Sequence, residues 1–126
     1  LIRSFYHDFD ANFDRTRLVS LEEFTRPDFE TQTFINQMLN PACSLCFLDM
    51  TSFELKTIAH ILHPDDPGLT DYEREVVRFA NLIHAFGHGG RKKPKRQMMA
   101  VLYYVIEVYD NSPRGREPGR RVVPAD

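Results

Sequence analysis

His84 is the one imidazole that falls inside a strongly apolar segment of this chain, "VVRFANLIHAF" at residues 76–86. An imidazole exchanges protons near neutral pH, so this placement suggests general acid or base work. If residues 73–86 pair as a hairpin with the apolar run "QMMAVLYYVIEVYD" at 97–110, His84 shares a face with Tyr104, whose phenol would be its hydrogen-bonding partner. Asn81, Tyr103 and Glu107 then share the other face, and one of the two sets lines a pocket. A core or interface histidine satisfied by a carbonyl is the competing reading.

Three further patterns carry potential chemistry. Cys43-Ser-Leu-Cys46 has the C-x-x-C spacing that can form half of a zinc site, which His60, His63, His84 and His88 could complete. His60 and His63 stand closer together than finger spacing asks, however, and two small buried thiols are the simpler expectation. From Asn12, the oxygen-bearing residues Asp14, Thr16, Ser20 and Glu23 follow the register of a calcium loop. Arg17 occupies the place where that loop needs glycine, and Pro27 would interrupt the exit helix, so no metal is expected. Finally, Arg91, Lys92, Lys93, Lys95 and Arg96 make a basic patch beside Gly87, Gly89 and Gly90. Such a run suits a nuclear import carrier, an anion-binding nest or, more simply, a solvated hairpin tip.

The elements that would position these groups follow from periodicity. Leu1, Ile2, Phe5, Phe9 and Phe13 recur at helical spacing, which predicts a first helix with an aromatic stripe. Ser20 and Glu23 form a capping box and predict a short second helix. Phe29, Thr31, Thr33 and Ile35 alternate and predict a strand over "DFETQTFINQML", although Phe34, Met38 and Leu39 would also suit a helix. Thr51 and Glu54 predict a third helix, with Phe53, Leu55, Ile58, Ile61 and Leu62 as its apolar side. Residues 70–87 are either a strand or a helix capped by Thr70 and Glu73. The β-branched and aromatic run after Gln97 is a strand. Residues 1–112 thus read as one α+β domain. Residues 113–126, rich in Pro, Gly and Arg, read as a loose tail or an edge strand at "RRVV".

The aromatic first helix "FYHDFDANF", the link "DRTRLVSLEEF" and the corner "PDF" at 27–29 resemble the nuclear-transport-factor-like cone fold, in particular its SnoaL-like branch of polyketide cyclases, dehydratases and isomerases. That resemblance implies N-terminal helices packed on a curved antiparallel sheet around an apolar pocket, and commonly a homodimer. Phe5, Phe9 and Phe29 would line such a pocket with Asn81, Tyr103 and Glu107. The alternative fold is a mostly α-helical domain.

The functional expectation is a domain that binds a small, largely apolar molecule and converts it by proton transfer, as a lyase, isomerase or cyclase without a cofactor. A non-enzymatic nuclear transport or protein-interaction module, using the sheet face and basic tip, is the alternative. A formal net charge of −2 argues against a dedicated nucleic-acid binder. With no apolar run long enough to span a bilayer and no signal-peptide pattern, a soluble cytoplasmic or nuclear protein is expected.

Overall fold

The computed structural model describes residues 7, 8, 11, 16–21, 32–87, 97–113 and 117–124. Over these residues the chain is α+β. Its elements run β1 (Arg17–Leu21), α1 (Gln32–Leu39), β2 (Ala42–Phe47), β3 (Phe53–Leu62), α2 (Asp71–Gly87), β4 (Ala100–Asp110) and β5 (Arg120–Val123). The sheet order is β1-β4-β3-β2, with β5 also pairing to β4.

Hydrogen bonds at the strand ends fix the directions. The Asn111 amide just past β4 donates to the Ser52 carbonyl just before β3 at 2.8 Å, and the Ala59 amide late in β3 donates to Pro41 at the entry of β2 at 2.7 Å. The end of one strand therefore lies beside the beginning of the next in both pairs, which is antiparallel pairing. β5 is antiparallel to β4, with Tyr109 opposite Arg121 and a register shift between Val108 and Tyr109. Gly119 starts that last strand from a φ of +82°, a backbone state that glycine adopts without Cβ strain, and its amide reaches the Asp110 carbonyl at 2.8 Å.

Three expectations are corrected here. Ser20, expected to open a helix, lies in β1, and its expected partner Glu23 lies outside the described residues; the strand is tied to β4 by the Val105 amide donating to Thr16 at 2.8 Å. The strand expected over 28–39 is helix α1 from Gln32 onward, closed by the Asn40 amide bonding back to Asn36 at 2.8 Å. The helix expected from Thr51 is strand β3. Its Thr57 and Ala59 are buried while Ile58 and His60 are exposed, a period of two that the apolar count had concealed. Glu54 turns to Ser44 Oγ at 2.7 Å and to the Lys56 ammonium, not back to a helix amide.

Residues 71–87 form a helix, so the hairpin with β4 does not exist. α2 opens on a reciprocal capping box. The Thr70 amide and hydroxyl donate to Glu73 Oε2 at 2.8 and 2.9 Å, and the Glu73 amide donates to Thr70 Oγ1 at 3.2 Å. Val77, Ala80 and Asn81 make its buried face. The all-helical alternative gives way to the five-stranded sheet. Of the aromatic first helix, His7 and Ala11 are helical, Asp8 is not, and the rest of the stretch lies outside the described residues.

The chain divides into two compact units. The first comprises 1–18, 44–58 and 104–126, the second 19–43 and 59–103, and β1, β2, β3 and β4 contribute residues to both. The second unit holds the apolar core: Leu62, Val77, Val101 and Leu102 are fully buried, with Ala59, Leu69, Met99 and Tyr103 beside them. The buried polar residues of the first unit are Ser52, Thr57 and Ser112, among the described residues. Ser52 and Ser112 meet directly, the Ser52 amide donating to Ser112 Oγ at 3.0 Å.

Candidate functional site

In the second unit, α1 and the first residues of β2 border an open recess of about 450 Å³, lined among the described residues by Thr33, Asn36, Gln37, Leu39, Asn40, Ala42 and Cys43. Asn40 shapes its turn by accepting the Ala42 amide on Oδ1 at 3.1 Å. Among the described side chains of α1, Gln37 is buried, at 8% exposure, because it is drawn onto the sheet: Nε2 donates to the Tyr103 hydroxyl at 2.9 Å. Its other amide atom, Oε1, is closed off from solvent and has no hydrogen-bond partner among the described residues. Rotating the amide by a half-turn would satisfy Oε1 through Tyr103 and orphan Nε2 instead, so one polar atom stays unpaired either way. A buried unpaired atom of this kind costs on the order of 1–3 kcal/mol.

The groups expected from the sequence are dispersed. His84 is half-buried in the last turn of α2, and Tyr104 is half-buried on β4 with the Arg17 guanidinium 5.4 Å from its ring centroid. The hairpin register that paired His84 with Tyr104 is replaced by a helix and a strand. Asn81 spends its side chain on backbone: Nδ2 donates to Val77 O at 2.8 Å and Met98 O at 3.1 Å, while Oδ1 accepts the Met98 amide at 2.9 Å. It ties α2 to the entry of β4. Tyr103 alone of the expected group joins the recess, through Gln37. Phe5, Phe9, Phe29 and the basic residues Arg91, Lys92, Lys93, Lys95 and Arg96 lie outside the described residues.

Glu107 belongs to the first unit and to a polar face of the sheet. It accepts the Tyr109 hydroxyl on Oε2 at 2.8 Å, and Oε1 lies 3.9 Å from Arg121 Nη1. The bond to Glu107 pushes the Tyr109 phenol above its ordinary value, with burial adding to the shift. Nearby, the Lys56 ammonium and the Ser44 hydroxyl hold the Glu54 carboxyl below its ordinary range, and Glu54 in turn raises Lys56. These side chains are substantially exposed, so water screens the charges and the network contributes little to stability. Its chemistry is that of a charged surface.

Cys43 and Cys46 form no disulfide and stand three residues apart on β2, which sends them to opposite faces; Cys43 is half-buried in the recess and Cys46 is exposed. The expected pair of buried thiols is therefore not formed. Among the described residues no group of three or more His, Cys, Asp or Glu is arranged to hold a metal ion. His60 sits on β3 with Nε2 3.3 Å from Glu73 Oε1, and His63 accepts the Asp65 amide at 3.1 Å.

Sequence reasoning missed Thr33, Asn36, Gln37 and Asn40. Their neutral amides and hydroxyl announce no chemistry, and the Gln37–Tyr103 bond joins residues 66 positions apart. A strand reading of α1 also hid the helical spacing of Thr33, Asn36, Gln37 and Asn40, the one signal that placed them together. Comparisons with protein-family models, with curated proteins and with solved structures find no match to this chain.

Proposed function

We propose that this chain is a small-molecule-binding α+β domain whose site is the recess between α1 and β2. The observation that carries this reading is the unpaired Oε1 of buried Gln37 in the recess lining. Folding normally pairs such groups, and an orphan that persists calls for an explanation such as a functional role or an ordered water or ion. The cone arrangement implied by the resemblance belongs to the same proposal, supported by the α+β composition and the mostly antiparallel sheet. Of the groups expected to move protons, Tyr103 is the one joined to the recess, so conversion of a bound molecule would start from its phenol.

The test is a fragment screen read by amide chemical shifts on the full chain. The proposal expects at least one fragment to shift the amides of residues 33–43 together and saturably. If every fragment leaves those amides unmoved at millimolar concentration, the recess is not a binding site.

A second reading is favoured by a different observation. β2 ends the sheet order, its residues Ala42–Phe47 carry no charge, and Phe47, Leu48 and Met50 at its end are exposed at 51, 84 and 59%. An uncharged edge strand offers its free backbone groups to another chain, which suits a protein-interaction module or a dimer.

A further inference from the structure

We propose that two copies of this chain join through β2, edge to edge and antiparallel, into one continuous sheet. This rests on the reading of β2 as an interaction edge and names its occupant. The sheet has five strands, and β2 stands at the end of its order. The bond from the Ala59 amide to the Pro41 carbonyl sets residue 41 opposite residue 59. Odd-numbered residues of β2 therefore aim their backbone groups at β3, and even-numbered ones aim theirs outward. The first outward amide, of Ala42, is taken by Asn40 Oδ1. Ser44 and Cys46 come next, both exposed, and their N–H and C=O groups are the ones a further strand would meet. Neither a charge nor a proline interrupts residues 42–48, although these are the usual devices that keep an edge strand single.

The two sides of the sheet specify what that further strand must be. The same register places Leu45 opposite Leu55 and Phe47 opposite Phe53 on one side, and Ser44 opposite Lys56 and Cys46 opposite Glu54 on the other. A separation of 3.5 Å between Lys56 Nζ and Ser44 Oγ agrees with it. The apolar side is unfinished, because Leu45, Phe53 and Leu55 are half-buried and Phe47 is 51% exposed. An added strand must carry large apolar residues on that side and small uncharged ones on the other. β2 is itself such a strand. A two-fold axis perpendicular to the sheet sets residues of like parity opposite each other, so the apolar sides of both copies run together. Lys56 and Glu54, opposite β2 on the polar side, already pair with each other and bring no unmatched charge to the seam. Because Pro41 has no amide and that of Ala42 is engaged, the pairing centres farther along the strand, with Leu45 on the axis. Ser44 of each copy then exchanges both backbone bonds with Cys46 of the other.

Sedimentation velocity of the full chain, under reducing conditions and from micromolar to near-millimolar concentration, is expected to show a monomer giving way to a dimer. Cys46→Pro deletes an outward amide and no bond to β3, and is expected to weaken that dimer roughly tenfold or more. In Cys43→Ser/Cys46→Ser/Leu45→Cys the introduced thiols face each other across the axis, in the close, non-hydrogen-bonded kind of pair that a disulfide can span, and mild oxidation is expected to link two copies covalently. The cross-link decides where Cys46→Pro does not fold. A chain that stays monomeric throughout overturns the proposal. So does a dimer that yields no cross-link and keeps its strength in Cys46→Pro, since it pairs elsewhere. A synthetic peptide of residues 42–49, with serine at both cysteine positions, separates this failure from that of the underlying reading. If the chain is monomeric but the peptide shifts the Ser44 and Cys46 amides saturably, the edge accepts a strand and the second copy is the wrong occupant. If neither the second copy nor the peptide engages those amides, the reading of β2 as an interaction edge fails as well.

Discussion

At the scale of single residues, the Gln37–Tyr103 pair is an unequal partnership, because the hydroxyl takes one amide atom and leaves the other unpaired. Removing the hydroxyl with Tyr103→Phe leaves both polar atoms of Gln37 buried without partners, a cost of about 1–3 kcal/mol. Gln37→Leu removes the unpaired oxygen together with the donor and is expected to cost less than Tyr103→Phe. Once the hydroxyl is absent, the leucine substitution becomes favourable, so the double variant Gln37→Leu/Tyr103→Phe is expected to be more stable than Tyr103→Phe alone. Urea unfolding midpoints of the four proteins check this ordering, and a double variant less stable than Tyr103→Phe contradicts it. The tyrosine was visible in the sequence as a polar ring inside an apolar strand. Its partner was not, since nothing in a glutamine on a short helix says that it turns inward.

At the scale of elements, α2 is held at its start by Thr70 and Glu73, and this interaction gives the molecule a pH dependence. The Glu73 carboxyl is held below its ordinary value chiefly by the backbone bond at Thr70, then by the Thr70 hydroxyl, with smaller help from His60 and Arg74, against some burial. A carboxyl whose folded value is depressed contributes stability that is present above the unfolded value and lost as pH falls through the folded one. The stability of wild type over Glu73→Gln is therefore expected to be full at pH 7 and to shrink between about pH 5 and pH 2, as followed by urea midpoints at each pH. A difference that stays constant over that range would show that the carboxylate charge is irrelevant to the cap.

The same Thr-x-x-Glu pattern at Thr51–Glu54 shows why elements were only partly legible. At Thr70 it precedes residues whose buried set, Val77, Ala80 and Asn81, has helical spacing. At Thr51 it precedes Thr57, Ile58, Ile61 and an alternating burial, and neighbouring strands claim the glutamate through Ser44. A cap motif counts only where the following residues keep the helical period. β4, with its β-branched and aromatic run, was readable from local composition alone. α1 was not, because its eight residues carry no charge and one of its side chains, Gln37, is buried.

At the scale of the whole molecule, the buried apolar side chains among the described residues belong to one of the two units, and the described sheet order ends on a strand without charge. A formal net charge of −2 supplies little long-range repulsion between copies, and among the described residues no strand lies beyond β2, so that edge is the one to test for pairing in concentrated solution. Leu48→Lys places a cation at the exposed end of that edge. It is expected to change stability by no more than about 0.5 kcal/mol and to reduce concentration-dependent association in sedimentation velocity. Association that is unchanged by the substitution removes the edge from consideration as an interface. No described helix is long and apolar enough to cross a membrane.

The three hydrogen bonds from Asn81 to Val77 and Met98 have a consequence for how this sequence can vary. A side chain on α2 grips the chain again 17 residues later, on both polar groups of one peptide residue, just before β4 begins. The grip specifies the point of re-entry and leaves the length of the detour free. Closing a longer circuit costs only about 0.6 kcal/mol for each doubling of an unstructured insert. Related chains can therefore differ in length between Gly87 and Met98 while keeping the same helix and the same strand, provided that the asparagine stays.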